Sequence, residues 1–317
     1  MSVAKITVLG IYVADLIFRA PRLPVMGETI LGESFAIGPG GKGSNQAVAA
    51  ARAGGKVSFI SAIGEDAFAE IARKIWSGDG VDFSRVAIRK DRPTGGAFIF
   101  VSSETGNNAI IVETGAAQTI TPETVEAAEA EIKASKVFVT QLEPPLNAAR
   151  RGLELARKHG VITIFNPAPG LEAGRVLLPL ADFATPNESE TEALTGMKVE
   201  TVDQARAAAA RLIEMGARNA VITLGAQGVL LHGGGVSELV PGFKVKAVDT
   251  TGAGDAFNGG FAVALAEARS PLDAARFGNA VAALSVTRHG TAPSMPYRAD
   301  VDAFLDWDIP TIAKTLD

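Results

Sequence analysis

Val248-Asp249-Thr250-Thr251-Gly252-Ala253-Gly254-Asp255-Ala256-Phe257 is the stretch on which the reading of this sequence turns. The β-branched run Val245–Val248 precedes it and the Ala-rich run Asp255–Ala268 follows, so it reads as a turn from a strand into a helix. Two glycines let successive backbone N–H groups point at one spot, and a helix N-terminus adds positive partial charge there, which makes an anion hole of Gly252, Ala253 and Gly254. Asp255, at the helix start, can take a proton from an attacking hydroxyl. Phosphoryl transfer needs both parts, charge stabilisation and an oriented nucleophile. A plain strand-to-helix turn with an aspartate cap would use the same residues.

Outward from this stretch, short β-branched runs alternate with Ala-rich ones. Strands are expected at Lys5–Leu9, Val57–Ala62, Val137–Gln141, Val161–Phe165, Phe183–Thr185, Ala220–Leu224 and Val245–Val248. Helices are expected near Ser44–Ala53, Asp66–Trp76, Pro122–Ala134, Leu146–His159, Asp203–Met215, Asp255–Ala268 and Leu272–Arg288. This order predicts an α/β fold with a doubly wound, mostly parallel sheet covered by helices on both faces, whose ligands bind beyond the carboxyl ends of the strands. Thr29–Gly38 and Gly95–Glu113 break the alternation with strand-like sequence, and Phe98–Val101 and Ala109–Val112 flank a turn as a hairpin. We expect an α/β domain that binds nucleotide and sugar over 1–11, 45–92 and 116–317, and a small β lid, able to pair two copies, over 12–44 and 93–115. An ordinary β excursion is the alternative.

Composition narrows the chemistry. The 317 residues carry a net charge of −5 without a basic excess, which gives no argument for nucleic acid or an anionic membrane. There is no cysteine, which excludes disulfides and thiolate chemistry and suits a reducing, cytoplasmic setting. The N-terminus lacks the pattern of a signal peptide, and no apolar run approaches the ~18 residues of a membrane span. The three histidines, at 159, 232 and 289, are too scattered for a histidine-rich metal site.

Four further motifs bear on function. Gly40-Gly41-Lys42-Gly43-Ser44-Asn45-Gln46 is neither a P-loop, for want of the first glycine and the final Ser/Thr, nor a dinucleotide loop, since it does not follow the first strand. It reads as a close-approach loop where a sugar lies on Gly40 and Gly41 while Lys42 and Asn45 offer hydrogen bonds, or as a glycine turn with a solvated lysine. Asn187 and Glu190, at i and i+3 in Thr185–Glu190, share a helix face and could hold waters around Mg²⁺, or form an ordinary acidic first turn. Thr223-Leu224-Gly225-Ala226-Gln227-Gly228 is a strand and glycine turn that could pass nucleotide phosphates, or a hairpin. Glu143 follows a strand at the ligand edge, to bind a sugar hydroxyl or cap the next element.

Taken in this order, these motifs resemble the ribokinase family of carbohydrate and nucleoside (PfkB-type) kinases, from Val8 to about Leu305. The resemblance also rests on Asn166-Pro167-Ala168-Pro169, Pro241–Asp255 and Pro293–Ser294. It implies ATP-dependent phosphorylation of a sugar 5-hydroxyl, most simply that of D-ribose, with Asp255 as general base. Asp15, Gly41, Lys42, Asn45 and Glu143 fall at sugar positions, and Asn187, Thr223, Gly225, Gly228, Gly254 and Asn279 at nucleotide positions. Glu190 belongs to the Mg²⁺-related Asn-x-x-Glu motif, and Asp249, Thr251, Ser285, Arg288, Gly290 and Ser294 match the site of an activating monovalent cation, K⁺, mostly through carbonyls. Members are often homodimers through the lid. One departure is Val13, where the family usually has an Asn beside the sugar. Valine offers no hydrogen bond, which costs about 0.5–1.5 kcal/mol for a lost bond and about 1–3 kcal/mol for a buried hydroxyl left unpaired. The alternative substrate is therefore 2-deoxyribose; a nucleoside kinase, a non-catalytic sugar sensor and, more remotely, a nicotinamide oxidoreductase are the other readings.

Overall fold

Apolar runs of four or five residues become the middle of one sheet. In the computed structural model, which describes residues 4–307, the strands β1 (Lys5–Leu9), β4 (Lys56–Gly64), β5 (Asp82–Arg89), β8 (Val137–Thr140), β9 (Ile162–Phe165), β10 (Phe183–Ala184) and β11 (Asn219–Thr223) run parallel, in the order β11-β10-β9-β8-β1-β4-β5. The antiparallel β12 (Gly228–Gly233) and β13 (Val236–Pro241) extend it beyond β11 to nine strands. Val137 and Val139 of β8 enter one apolar core and Phe138 the other, the period-2 alternation of a strand buried on both faces.

The first core is closed by α1 (Lys42–Arg52), α2 (Ala67–Gly78), α8 (Ala253–Ala266), α9 (Pro271–Ser285) and α10 (Arg298–Trp307), through Val48, Trp76, Phe257, Phe277 and Val301. The second is closed by α3 (Pro122–Glu126), α4 (Glu129–Ala134), α5 (Leu146–Lys158), α6 (Glu188–Thr195) and α7 (Val202–Glu214), through Val125, Ile132, Leu153, Leu194 and Leu212. Each such side chain stabilises the fold by about 1.5–3 kcal/mol on burial. The doubly wound architecture is thus present. Among the described residues no helix is long and apolar enough to cross a membrane.

A second sheet, ordered β3-β2-β6-β7, lies outside this sandwich and is made of β2 (Val13–Ala20), β3 (Ser34–Gly40), β6 (Thr94–Ser102) and β7 (Asn108–Gly115). The hairpin is there, with Phe98 opposite Ile111 and Val101 opposite Asn108. Of the domain ranges expected above, residues 1–3 and 308–317 lie outside the described residues.

Three expectations need correction. Val245–Val248 is not a strand: residues 242–250 are irregular, and the Val248 and Asp249 N–H groups both donate to the Val286 carbonyl just past α9, at 2.7 and 3.2 Å. The motif therefore enters α8 from a loop held by a helix end, and α8 begins at Ala253, two residues before Asp255. Pro122–Ala134 is two helices, because the Ala128 N–H bonds Val125 O at 3.0 Å and tightens the chain to a 3₁₀ turn between them. The strand expected from Thr29 begins only at Ser34.

Two helices aim the candidate residues at one another. α8 carries Gly259, where a Cβ would lie 2.5 Å from Ala49 Cβ of α1. Only glycine lets these helices approach so closely, and their N-termini consequently meet beyond the carboxyl ends of β8, β9 and β10.

Candidate active site

The loops after β9, β10 and β11 meet the first turns of α1, α6 and α8 around a cleft of about 150 Å³. Asp255 lies in it with only 7% of its surface exposed. Its carboxylate accepts one amide hydrogen on each oxygen: Asn45 Nδ2 donates to Oδ2 and Gln46 Nε2 to Oδ1, both at 3.0 Å. Burial pushes the Asp255 pKa up, against the Lys42 ammonium and the two amide donors, which act to lower it. Each oxygen keeps a lone pair for a hydroxyl proton.

Behind Asp255, Gly252 takes a left-handed φ of +79° that turns the chain into α8. Ala253 N–H is engaged by Thr250 O at 3.2 Å, whereas the N–H groups of Gly254 and Asp255 have no partner among the described residues. The space over Gly254 is open, with nothing within 4 Å of where a Cβ would stand. The anion-binding donors on offer are therefore those of Gly254 and Asp255 rather than that of Ala253.

Four acids crowd one ammonium. Asp15, Glu143, Glu190 and Asp255 act electrostatically on Lys42, whose pKa burial pulls down and these carboxylates together carry up. If all ionised, the group would hold −4 + 1 = −3 charges. Burial raises Asp15 to about 7, with Asp255 adding repulsion and Lys42 opposing. Glu143 is likewise raised by burial to about 7, although it accepts the Lys42 backbone N–H on Oε2 at 2.8 Å. Glu190 moves up for the same primary reason.

The expected sugar residues converge. Asn45 Oδ1 is buried without a partner among the described residues, so an acceptor is left for an incoming hydroxyl. Val13, 3% exposed, belongs to the second core. The glycines work differently from the expectation: a Cβ on Gly40 would be 2.1 Å from Asp15 Oδ1, and one on Gly41 2.6 Å from Ile11 O. Their bareness makes room for Asp15 and for the Ile11–Tyr12 backbone before it makes room for a ligand.

The expected nucleotide residues divide. Asn187, Thr223 and Gly254 line the cleft; Gly225, Gly228 and Asn279 do not. Asn279 Nδ2 instead holds Val240 O and Pro241 O at 3.1 Å each, and a Cβ on Gly228 would strike Val240 O at 2.2 Å. Asn187 and Glu190 form a reciprocal capping box: Glu190 N–H donates to Asn187 Oδ1 at 2.8 Å and Asn187 N–H to Glu190 Oε2 at 2.9 Å. Both also line the cleft, and Glu190 Oε1 has no hydrogen-bond partner among the described residues, a hard oxygen free for a water bound to Mg²⁺.

Of the residues expected at a cation, Asp249 gathers two: Thr251 N–H donates to Oδ1 at 3.0 Å and Gly290 N–H to Oδ2 at 2.9 Å. Burial works to raise the Asp249 pKa, and these bonds outweigh it, so the carboxylate stays ionised with spare lone pairs. Ser285 and Ser294 hydroxyls donate instead to Ala282 O and Thr291 O, each at 2.8 Å, and the Arg288 guanidinium pairs with Asp300 at 3.5 Å. The 290–295 loop is itself anchored by Arg52, which donates to Ala292 O, Pro293 O and Met295 O while paired with the buried Asp79.

Gln46, Asn166, Thr185 and Asn258 were not among the expected site residues, yet all four are buried and join the network around Asp255. The available signal was an amide at position 46 inside the run Gln46-Ala47-Val48-Ala49, where an apolar residue would be the default.

A model described as pfkB family carbohydrate kinase matches residues 3–298. The chain is 42% identical to a ribokinase of Haemophilus influenzae over 301 residues, covering 95% of this chain and 98% of that one. It is 38% identical to a deoxyribokinase of Salmonella typhi over 292 residues, covering 92% and 95%. The solved structure of an Arabidopsis thaliana ribokinase complexed with ribose and ATP superposes with a TM-score of 0.89 at 32% identity, covering 96% and 99%.

Proposed function

The chain belongs to the pfkB family of carbohydrate kinases, and on that premise we propose that it transfers the γ-phosphoryl group of ATP to the 5-hydroxyl of D-ribose. The observation that carries this reading is the placement of the Asp255 carboxylate at the same helix start as the open N–H groups of Gly254 and Asp255. A hydroxyl seated beside Asp255 would pass its proton to the carboxylate as it attacks, while the N–H groups and the α8 dipole meet the negative charge that gathers on the transferred group. Lys42 adds a positive charge inside the cleft. Asp15, Asn45 and Glu143 would orient the sugar beside Val13 and Gly41, and Asn187, Thr223, Gly225, Gly228 and Asn279 would hold the nucleotide.

Glu190 and Asn187 would hold the water shell of Mg²⁺, which supplies charge neutralisation on the phosphates. Among the described residues no three His, Cys, Asp or Glu side chains gather as an all-protein metal cage, so the ion would come with the nucleotide. Asp249, with carbonyls near Thr251, Ser285, Arg288, Gly290 and Ser294, would hold K⁺ behind the anion hole. The small sheet would act as a lid, and its exposed apolar side chains would pair two copies. A reducing, cytoplasmic setting fits the absence of cysteine.

Val13 supports a second reading, phosphorylation of 2-deoxyribose, because its apolar side chain offers no hydrogen bond to a 2-hydroxyl. One assay tests both: sugar-dependent ADP release with ribose, 2-deoxyribose, a hexose and a nucleoside, for the natural chain and Val13→Asn, in potassium and in tetramethylammonium. Ribose is expected to give the highest kcat/KM, potassium to raise it, and Val13→Asn to raise it by about 2- to 13-fold. A higher kcat/KM for 2-deoxyribose overturns the choice of sugar, equal rates in the two salts overturn the cation site, and no release with any sugar overturns the reaction.

A further inference from the structure

Asp255 is one end of a directional chain of buried neutral groups. Gln141 Nε2 donates to Gln46 Oε1 at 2.6 Å, and this fixes which way the Gln46 amide faces. Its Nε2 then supplies one hydrogen to Asp255 Oδ1 at 3.0 Å and one to Asn166 Oδ1 at 3.1 Å. Asn166 Nδ2 passes to Thr185 O at 2.8 Å, Thr185 Oγ1 to Asn258 Oδ1 at 2.7 Å, and Asn258 Nδ2 to Gly254 O at 2.9 Å. The last acceptor belongs to the peptide group whose N–H, that of Asp255, is unpartnered at the start of α8. The chain therefore leaves the carboxylate and returns to the N–H beside it.

We propose that Gln46, braced by Asn166, is the positioning residue that holds the Asp255 carboxylate ionised and turned toward the cleft, and that ties its orientation to that of the anion-binding peptide. No member of the chain titrates between pH 5 and 9, so it holds the base in the same way across the working range. A flipped Gln46 amide would set Oε1 against the carboxylate and leave Gln141 Nε2 without an acceptor; the network excludes it. Polarisation along such a chain strengthens each bond in it.

This inference rests on Asp255 being the base, and the test separates the two. The probe reaction is ribose phosphorylation by the full chain, with kcat followed from pH 5 to 9. Gln46→Leu, of similar volume, is expected to lower kcat at neutral pH by about 10-fold or more and to move the acid limb of the kcat profile up by about one pH unit. KM for the sugar and ADP affinity are expected to stay within about threefold, since Gln46 touches neither in this reading. Asn166→Ala, which removes the brace and not the bond to Asp255, is expected to shift the limb in the same direction by less, and it carries the test if Gln46→Leu does not fold. An unmoved acid limb in a folded variant overturns the proposal, even if its melting temperature falls, because a purely structural role lowers stability without changing the base. Turnover by Asp255→Asn close to that of the natural chain would instead overturn the base itself.

Discussion

Asp255 is where burial and ionisation conflict most directly. Its carboxylate is nearly inaccessible, and desolvation pushes its pKa up and so disfavours the charged form that a base needs. Lys42, Asn45 and Gln46 oppose that by favouring the charged form. Asp255→Asn keeps the shape and removes the proton acceptor. It is expected to lose about 10²- to 10⁴-fold in kcat, the usual worth of general-base catalysis, with ADP affinity largely kept; titration calorimetry with ADP alongside turnover checks both, and near-natural turnover would count against the role. The sequence marked Asp255, Lys42, Asn45 and Glu143 through their motifs. It gave no site role to Asn166 or Asn258, because Asn166 lies 120 residues from its partner Gln46 and Asn258 lies 73 residues from Thr185, and these meetings depend on how strands are ordered.

Among the secondary structures, the small sheet differs most from its surroundings. Phe35 is 55% exposed and Ile111 70%, with Phe18, Ile37 and Ile110 also exposed, whereas the helices of the main sheet, Leu146 of α5 apart, bury such residues. Phe18 packs with tilted rings against Phe35 and Phe98 at centroid distances of 4.7 and 5.7 Å, which makes a contiguous apolar patch rather than scattered side chains. Pairing of two copies through this patch is expected, and Ile111→Lys with Phe35→Lys should shift sedimentation to the monomer. A natural chain that sediments as a monomer throughout the micromolar range would sink the idea. The hairpin was legible from alternating β-branched residues around Ser103–Asn108. Of the two strands beyond β11, the first was foreshadowed only by the hairpin alternative at Thr223–Gly228, and the second was not legible, since the glycines Gly233, Gly234 and Gly235 break the pattern between them.

Taken as one body, the protein carries its electrostatic strain in the cleft, and this should appear in its stability. Asp15 and Glu143 titrate near 7 when folded and near their ordinary carboxylate values of 3.8 and 4.5 when unfolded. Between those limits the folded chain binds more protons, so stability falls as pH rises, with the contribution complete below the unfolded values and lost through about pH 7. The slope is up to about 1.4 kcal/mol per pH unit for each retained proton. Urea denaturation without sugar or nucleotide should therefore show stability decreasing from pH 5 to 7.5, and Glu143→Gln should flatten the decrease. Stability rising over that interval would contradict the cluster. Carboxylates held low by partners, such as Asp66 and Glu267, act on the acid side of this window and do not mask it.

Local pattern sufficed for the alternation of strands and helices, for the doubly wound class and for the motif residues, because a period of two or of 3.6 and the glycines at a turn are properties of neighbours in the chain. It misplaced the entry to α8, where Val245–Val248 has the composition of a strand but no strand to pair with, and is held instead by the Val286 carbonyl. The network behind Asp255 and the crowding of four acids around Lys42 arose only on folding, when α1 and α8 closed across Gly259. Hydrogen bonds and desolvation act over a few ångströms of space, and a linear pattern records which groups are available for them without recording which ones meet.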